Sequence, residues 1–169
     1  MPGLLLSGDT ERFAALRHEV PLAIIDPLLF AEVDGRRYVL TTRLESDRVK
    51  RVLGDVEVLD YIELGYRELV TGGMSFPDAA REIEARAVRQ IGLREATVPG
   101  DFPLGLGDRL RADGVVLTVD DAAVDLRRRA KSAAELEGIR AAVRAAEAGL
   151  AAAAALLSRG EPGEGGRLE

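Results

Sequence analysis

Hydrophobic positions along this chain change period several times, and each change predicts a different element. From Asp9 to about His18 the residues Phe13, Ala14 and Leu16 gather on one helical face, with Asp9 placed to cap the helix and Pro21 to end it. Leu22 to Ile25 is a short continuous apolar run, which by length and flanks predicts a buried strand. Leu28–Val33 and Arg37–Thr42 flank Asp34-Gly35, a pair that tolerates the positive φ of a two-residue hairpin turn. Leu44–Leu53 then returns to helical spacing and stops at Gly54-Asp55, Val56–Tyr61 alternates like a strand, and a short helix is predicted from Gly65 to Val70.

Ser75 is placed to cap the next helix, whose Phe76, Ala80, Ile83, Ala87 and Ile91 share a face while Arg81, Glu82, Glu84 and Arg89 are expected in solvent. Ala96–Val98 predicts a short strand and Leu106–Ala112 a helix. Val115–Val119, dense in β-branched residues, predicts a central strand, and Asp120–Leu126 a short helix or loop. Helices alternating with strands define a layered α/β domain rather than a bundle or a sandwich.

The final periodic segment is different in kind. Ser132-Ala133-Ala134-Glu135 has the spacing of a capping box, in which the serine hydroxyl and glutamate carboxylate each accept from the other residue's backbone N–H. After it, Leu136, Ile139, Val143, Ala146, Leu150, Ala153 and Leu157 recur in steps of three and four, and Arg159 to Gly163 ends the helix. A stripe this rich in alanine buries little area per turn, and such a helix alone in water is marginal. It calls for a partner surface in this chain, on a second copy, or on a further domain.

Composition narrows the chemistry. The 169 residues suit one domain with an appendage, and the absence of cysteine excludes disulfides, thiolate metal sites and thiol nucleophiles. A net charge of −6 disfavours broad attraction to nucleic acid or anionic membranes. The opening Met1 to Ser7 lacks a basic segment and is too short for a secretory leader, which predicts a cytoplasmic protein. His18 is the single histidine, so histidine-rich metal sites are excluded. Ser75 and Ser132 are explained as caps, and Gly105-Leu106-Gly107 and Gly160 to Gly166 as turn glycines lacking a phosphate-loop pattern; Asp120 and Asp121, which with Asp125 could converge on a cation, are better explained by helix capping at Asp120 or Asp121. The basic run Arg127-Arg128-Arg129 with Lys131 reads as ion pairing at a domain junction or subunit contact, there being no interleaved aromatic residue for nucleic acid.

The stretch from Arg128 to Arg140, with Arg129 and Lys131-Ser132 ahead of an acidic, Glu135-capped helix, resembles the domain junction of the creatinase, prolidase and aminopeptidase P family. The resemblance implies that residues 1–126 form that family's N-terminal, three-layer mixed-sheet α/β domain. Residues 127–169 would then be the linker and first helix of a truncated catalytic, pita-bread half. It also implies a parent Xaa-Pro aminopeptidase or dipeptidase acting on proline-containing peptides, with two divalent metal ions (Mn, Co or Zn) bound by residues outside this chain, and a homodimer. The chain itself is expected to be inactive. The segment Ile25 to Phe30 departs from the Asn-Ile-x-Tyr-Leu-like stretch common in that family. Two other readings stay open: a self-association module using the stripe Leu136, Ile139, Val143, Leu150 and Leu157, and a small-molecule-binding α/β domain.

Overall fold

The opening apolar run, to which the sequence pattern assigned no element, is the strand on which the fold is built. In a computed structural model, which describes residues 2–160, β1 (Gly3–Gly8) places Leu4, Leu5 and Leu6 in the core. Asp9 does not begin a helix. Its carboxylate accepts the Glu11 and Arg12 N–H groups and closes a turn, and α1 (Ala14–Glu19) starts only afterwards. Gly8 makes this possible, since at φ 148° a Cβ there would sit 2.5 Å from the Phe13 ring.

Leu22–Ile25, expected as a buried strand, is not one. Thr10 holds the segment through bonds to Leu22 and Ile24, leaving Ile24 buried and Ile25 exposed, so the apolar run is split by a loop. The hairpin forms as expected: β2 (Leu28–Val33) and β3 (Arg36–Thr41) pair antiparallel around Asp34 and Gly35, at φ 49° and 77°. There follow α2 (Arg43–Leu53), β4 (Glu57–Asp60), α3 (Tyr66–Thr71), α4 (Phe76–Gln90), β5 (Glu95–Val98), α5 (Leu104–Ala112), β6 (Val116–Val119) and α6 (Asp121–Arg129).

The six strands form one mixed sheet in the order β4-β3-β2-β1-β5-β6, with β2 running against the others. Thus β6 is an edge strand and not the expected central one. Its β-branched residues reflect strand propensity rather than burial, and Val116 is 58% exposed. Strand alternation divides the core in two. Leu5, Leu29, Leu40 and Ala96 face α4 and α5, whereas Leu4, Leu6, Phe30 and Val39 meet residues of α1, α2 and α6. The sheet therefore lies between two helical layers.

On α4 the buried side is centred on Ala79, Ile83, Ala87 and Val88, rotated from the expected one. Phe76, in the first turn, is 67% exposed, and Glu84 is buried instead of solvated. Gly105 and Gly107 are not turn residues either: both lie inside α5, with Gly107 buried where the helix approaches Phe102 and Leu117.

Contacts divide the chain into Met1–Arg128 and Arg129–Glu169. The second unit carries α7 (Ala133–Leu157), opened by a complete capping box in which Glu135 N–H donates to Ser132 Oγ and Ser132 N–H to Glu135 Oε2. The glycine-rich stretch from 161 onward, including most of Gly160 to Gly166, lies outside the described residues.

Candidate functional site

The residues singled out in the sequence fall at the end of α6 and along α7. Arg129 is the last residue of α6, Lys131 lies in the link, and Ser132 with Glu135 caps α7. Leu136, Ile139, Val143, Leu150 and Leu157 share one face of α7, within about 60° of arc at helical spacing. None is buried: exposure runs from 40% at Leu136 to 72% at Leu150. Two neighbouring basic residues, Arg127 and Arg128, have ion pairs within the first unit. Arg127 donates to Glu19 (2.6 Å) and Glu32 (2.8 Å), which tie α6 to α1 and β2, and Arg128 pairs with Asp125 at 3.0 Å. Hydrogen bonds from Arg127 to Glu19 hold its guanidinium well above the ordinary arginine range, with Glu32 adding to the effect.

A second set of polar groups lies at the carboxyl ends of the parallel strands, where open α/β sheets place their ligand sites. Ser7, at the end of β1, donates at 2.8 Å to Oε1 of Glu84, a carboxyl only 6% exposed. Burial pushes the Glu84 carboxyl up to about 7, against the Ser7 hydrogen bond and the Arg81 charge that favour its ionised form. Tyr61, just after β4, is buried as well, and burial with the Glu84 charge raises its phenol further above the ordinary range. Its ring meets Tyr66 edge to face at 5.9 Å.

Two cavities open along this edge. One, of about 430 Å³, lies outside β1 and β5, where strand order reverses direction along the sheet. It is lined by Ser7, Gly100 and three carboxylates, Asp101, Asp121 and Asp125, together with Arg12 and Arg128. The Gly100 N–H, the backbone donor that a phosphate would need, is already taken by Asp121 Oδ1 at 2.7 Å. A Cβ at Gly100 would also meet Asp121 at 2.8 Å. The protein's own carboxylate therefore occupies this backbone donor.

The other cavity, of about 510 Å³, lies beside β3, β4 and the start of α2, with Tyr61, Ile62, Tyr66 and Pro27 among its walls. Thr42, the residue preceding α2, also lines it. Its hydroxyl oxygen is buried without a hydrogen-bond partner and does not cap the helix.

The remaining chemical candidates stay apart. Asp120 caps α6 through the Ala123 N–H at 2.9 Å, Asp121 holds Gly100, and Asp125 pairs with Arg128, so these carboxylates do not converge. Among the described residues no group of three or more His, Asp or Glu side chains gathers as for a metal ion. His18 lies in the last turn of α1, and Ser75 caps α4 through the Asp78 N–H at 3.3 Å. Across α4 and α5, Glu82 joins Arg86, Arg89 and Arg109 in an ion-pair network. Burial raises the Glu82 carboxyl, but hydrogen bonds from the three arginines outweigh it and leave it below the usual range. No described helix is long and apolar enough to cross a membrane.

No protein-family model matches the chain, and no curated protein matches it in sequence. The sequence reading missed Ser7, Thr42, Tyr61 and Glu84. One signal was present for Glu84: it sits four residues from both Ala80 and Val88, on the stripe that packs against the sheet.

Proposed function

We propose that the Met1–Arg128 unit is the non-catalytic N-terminal domain of a creatinase/prolidase-type Xaa-Pro aminopeptidase or dipeptidase, and that α7 opens the half that carries the chemistry. The observation that carries this reading is α7 itself. A 25-residue helix begins with a complete capping box at Ser132 and Glu135, yet no residue of it is buried. Local chemistry of that quality, joined to a leucine-containing stripe that its own unit does not cover, supports a helix made to be packed on rather than left in water. A catalytic half seated on Leu136 to Leu157 would supply the cover.

In this reading the two divalent ions, the proline-containing peptide and the hydrolytic water belong to that half. The α/β domain's contribution is structural: it supports a homodimer and limits access to the peptide site. Within the domain Arg89, Arg109 and Arg127 are engaged by Glu82, Asp113, Glu19 and Glu32.

The coding sequence downstream of Glu169 provides the test. A continuing frame that encodes two Asp, one His and two Glu in a second domain is the expected result, and a frame without them overturns the parent assignment. The exposed stripe also favours a second reading, self-association through α7. Sedimentation of the 169-residue chain and of a chain ending at Arg129 distinguishes the two. A concentration-dependent dimer seen only with α7 present supports self-association, and the same oligomeric state for both chains refutes it. Ending at Leu126 would confuse this comparison by removing Arg127 and its pairs to Glu19 and Glu32.

A further inference from the structure

The sheet ends on β6, and the outer edge of that strand is unpaired. Val116 N–H donates to the Arg94 carbonyl at 2.9 Å and Asp120 N–H to the Val98 carbonyl at 3.0 Å, so in the parallel ladder residues 116, 118 and 120 turn their main-chain groups toward β5. Leu117 and Val119 turn theirs the other way. Among the described residues nothing bonds to these two N–H and two C=O groups. Nor is the edge blunted by the usual devices: the strand reads Val-Leu-Thr-Val, without proline or charge, and Val116, Thr118 and Val119 are all exposed. At the opposite edge the chain folds back on the end of β4, where Leu64 N–H donates to the Asp60 carbonyl and the Ile62 and Glu63 N–H groups to the Asp60 carboxylate.

An open edge of this kind accepts a further strand. We propose that the strand is β6 of a second copy, paired antiparallel about a two-fold axis at Thr118. In that register Leu117 of one copy lies opposite Val119 of the other and the two exchange both hydrogen bonds. The axis repeats the pair, so all four outward groups of each edge are satisfied. Neighbouring registers fail. Centred on Leu117, the pairing sets Val119 against Val115, whose N–H already donates to the Leu110 carbonyl at 3.0 Å. Centred on Val119, it sets Leu117 against Asp121, the first residue of α6. The edge is complementary to itself in one alignment, and this favours a second copy over an unrelated strand. Thr118 then meets Thr118 across the axis, a favourable cross-strand pair, and Leu117 meets Val119 on the sheet face that carries α4 and α5. A four-residue edge falls well short of the ~1,600 Å² of a stable interface, so the dimer is reversible. It gives the homodimer of the proposed role a contact surface, yet requires neither a peptidase parent nor α7.

Because the chain has no cysteine, single cysteines in the full 169-residue chain report the register. Thr118→Cys places two thiols across the axis, at the ~4.5 Å Cα separation of a non-hydrogen-bonded pair, which a disulfide can span. Diamide should link this variant into a covalent dimer. Val116→Cys, also at an exposed position, sets its thiols four residues apart along the strands, about 13 Å, and should not link. Val119→Pro removes an outward N–H that the chain's own sheet does not use, so the fold is spared while the dimer loses two hydrogen bonds. Adding it to Thr118→Cys should reduce linking about tenfold or more. Thr118→Lys, an exposed change that opposes like charges across the axis, should weaken the dimer seen by sedimentation of the unaltered chain. A chain that stays monomeric up to about 1 mM, equal linking at 116 and 118, or a dimer indifferent to both Val119→Pro and Thr118→Lys overturns the proposal. The downstream reading frame tests the parent assignment separately, so failure of one is not failure of the other.

Discussion

Glu84→Gln isolates the least expected feature of the core. Glu84 is 6% exposed and accepts from the Ser7 hydroxyl, and burial raises its carboxyl from the ordinary 4.5 to about 7. Because the folded value lies above the unfolded one, the unfolded chain loses its proton first as pH rises. Stability is full below about 4.5, declines between 4.5 and 7, and levels off above 7. At about 1.4 kcal/mol per pH unit, that gap corresponds to about 3 kcal/mol lost by pH 8. Glutamine keeps a carbonyl to accept from Ser7 but cannot ionise. The variant should therefore match the parent near pH 4.5 and exceed it by about 3 kcal/mol at pH 8, or roughly 6 to 12 °C in Tm. Urea unfolding of both proteins by circular dichroism across pH 4.5 to 8 measures this, since every other titrating group cancels in the difference. A difference that is flat across that interval would refute the reasoning.

Other substitutions test other parts of the account. Ser132→Ala removes half of the capping box and should cost α7 about 1 kcal/mol, seen as faster amide exchange in its first turns; unchanged protection would show that the box does not set the helix start. Gly35→Ala places a side chain at φ 77° in the β2–β3 turn and should destabilise the first unit by about 1 kcal/mol, whereas an unchanged urea midpoint would contradict the turn geometry. Arg127→Met leaves Glu19 and Glu32 without their shared partner. It should cost about 1 kcal/mol, with the loss shrinking in 1 M salt; a loss insensitive to salt would indicate packing instead.

The parts of the fold legible in the sequence were those fixed by local chemistry. Asp34-Gly35 specified its turn because few other pairs accept two positive φ angles, and Ser75 and Ser132 marked helix starts because their hydroxyls meet N–H groups three residues on. Elements defined by tertiary neighbours were harder to read. The run at Leu4 to Leu6 is short, and it is a strand because β2 and β5 flank it on either side. Leu22–Ile25 has strand composition, yet Thr10 takes the bonds around Ile24. Propensity gave β6 its type but not its place at the sheet edge, which depends on chain crossovers. The polar groups at the carboxyl edge were illegible for the same reason. Ser7 and Glu84 lie 77 positions apart and meet only because α4 crosses the end of β1. Conversely, the stripe on α7 was fully visible in the sequence, because helical spacing alone puts its residues on one face.

The central claim is that this chain supports a peptidase without being one. Hydrolysis of an Xaa-Pro dipeptide in the presence of Mn²⁺, measured for the 169-residue chain and for the product of the complete reading frame, tests it most directly. The account predicts no turnover by the former and chelator-sensitive turnover by the latter. Metal-dependent cleavage by the 169-residue chain itself, or none by the complete product with any of Mn²⁺, Co²⁺ or Zn²⁺, would contradict it.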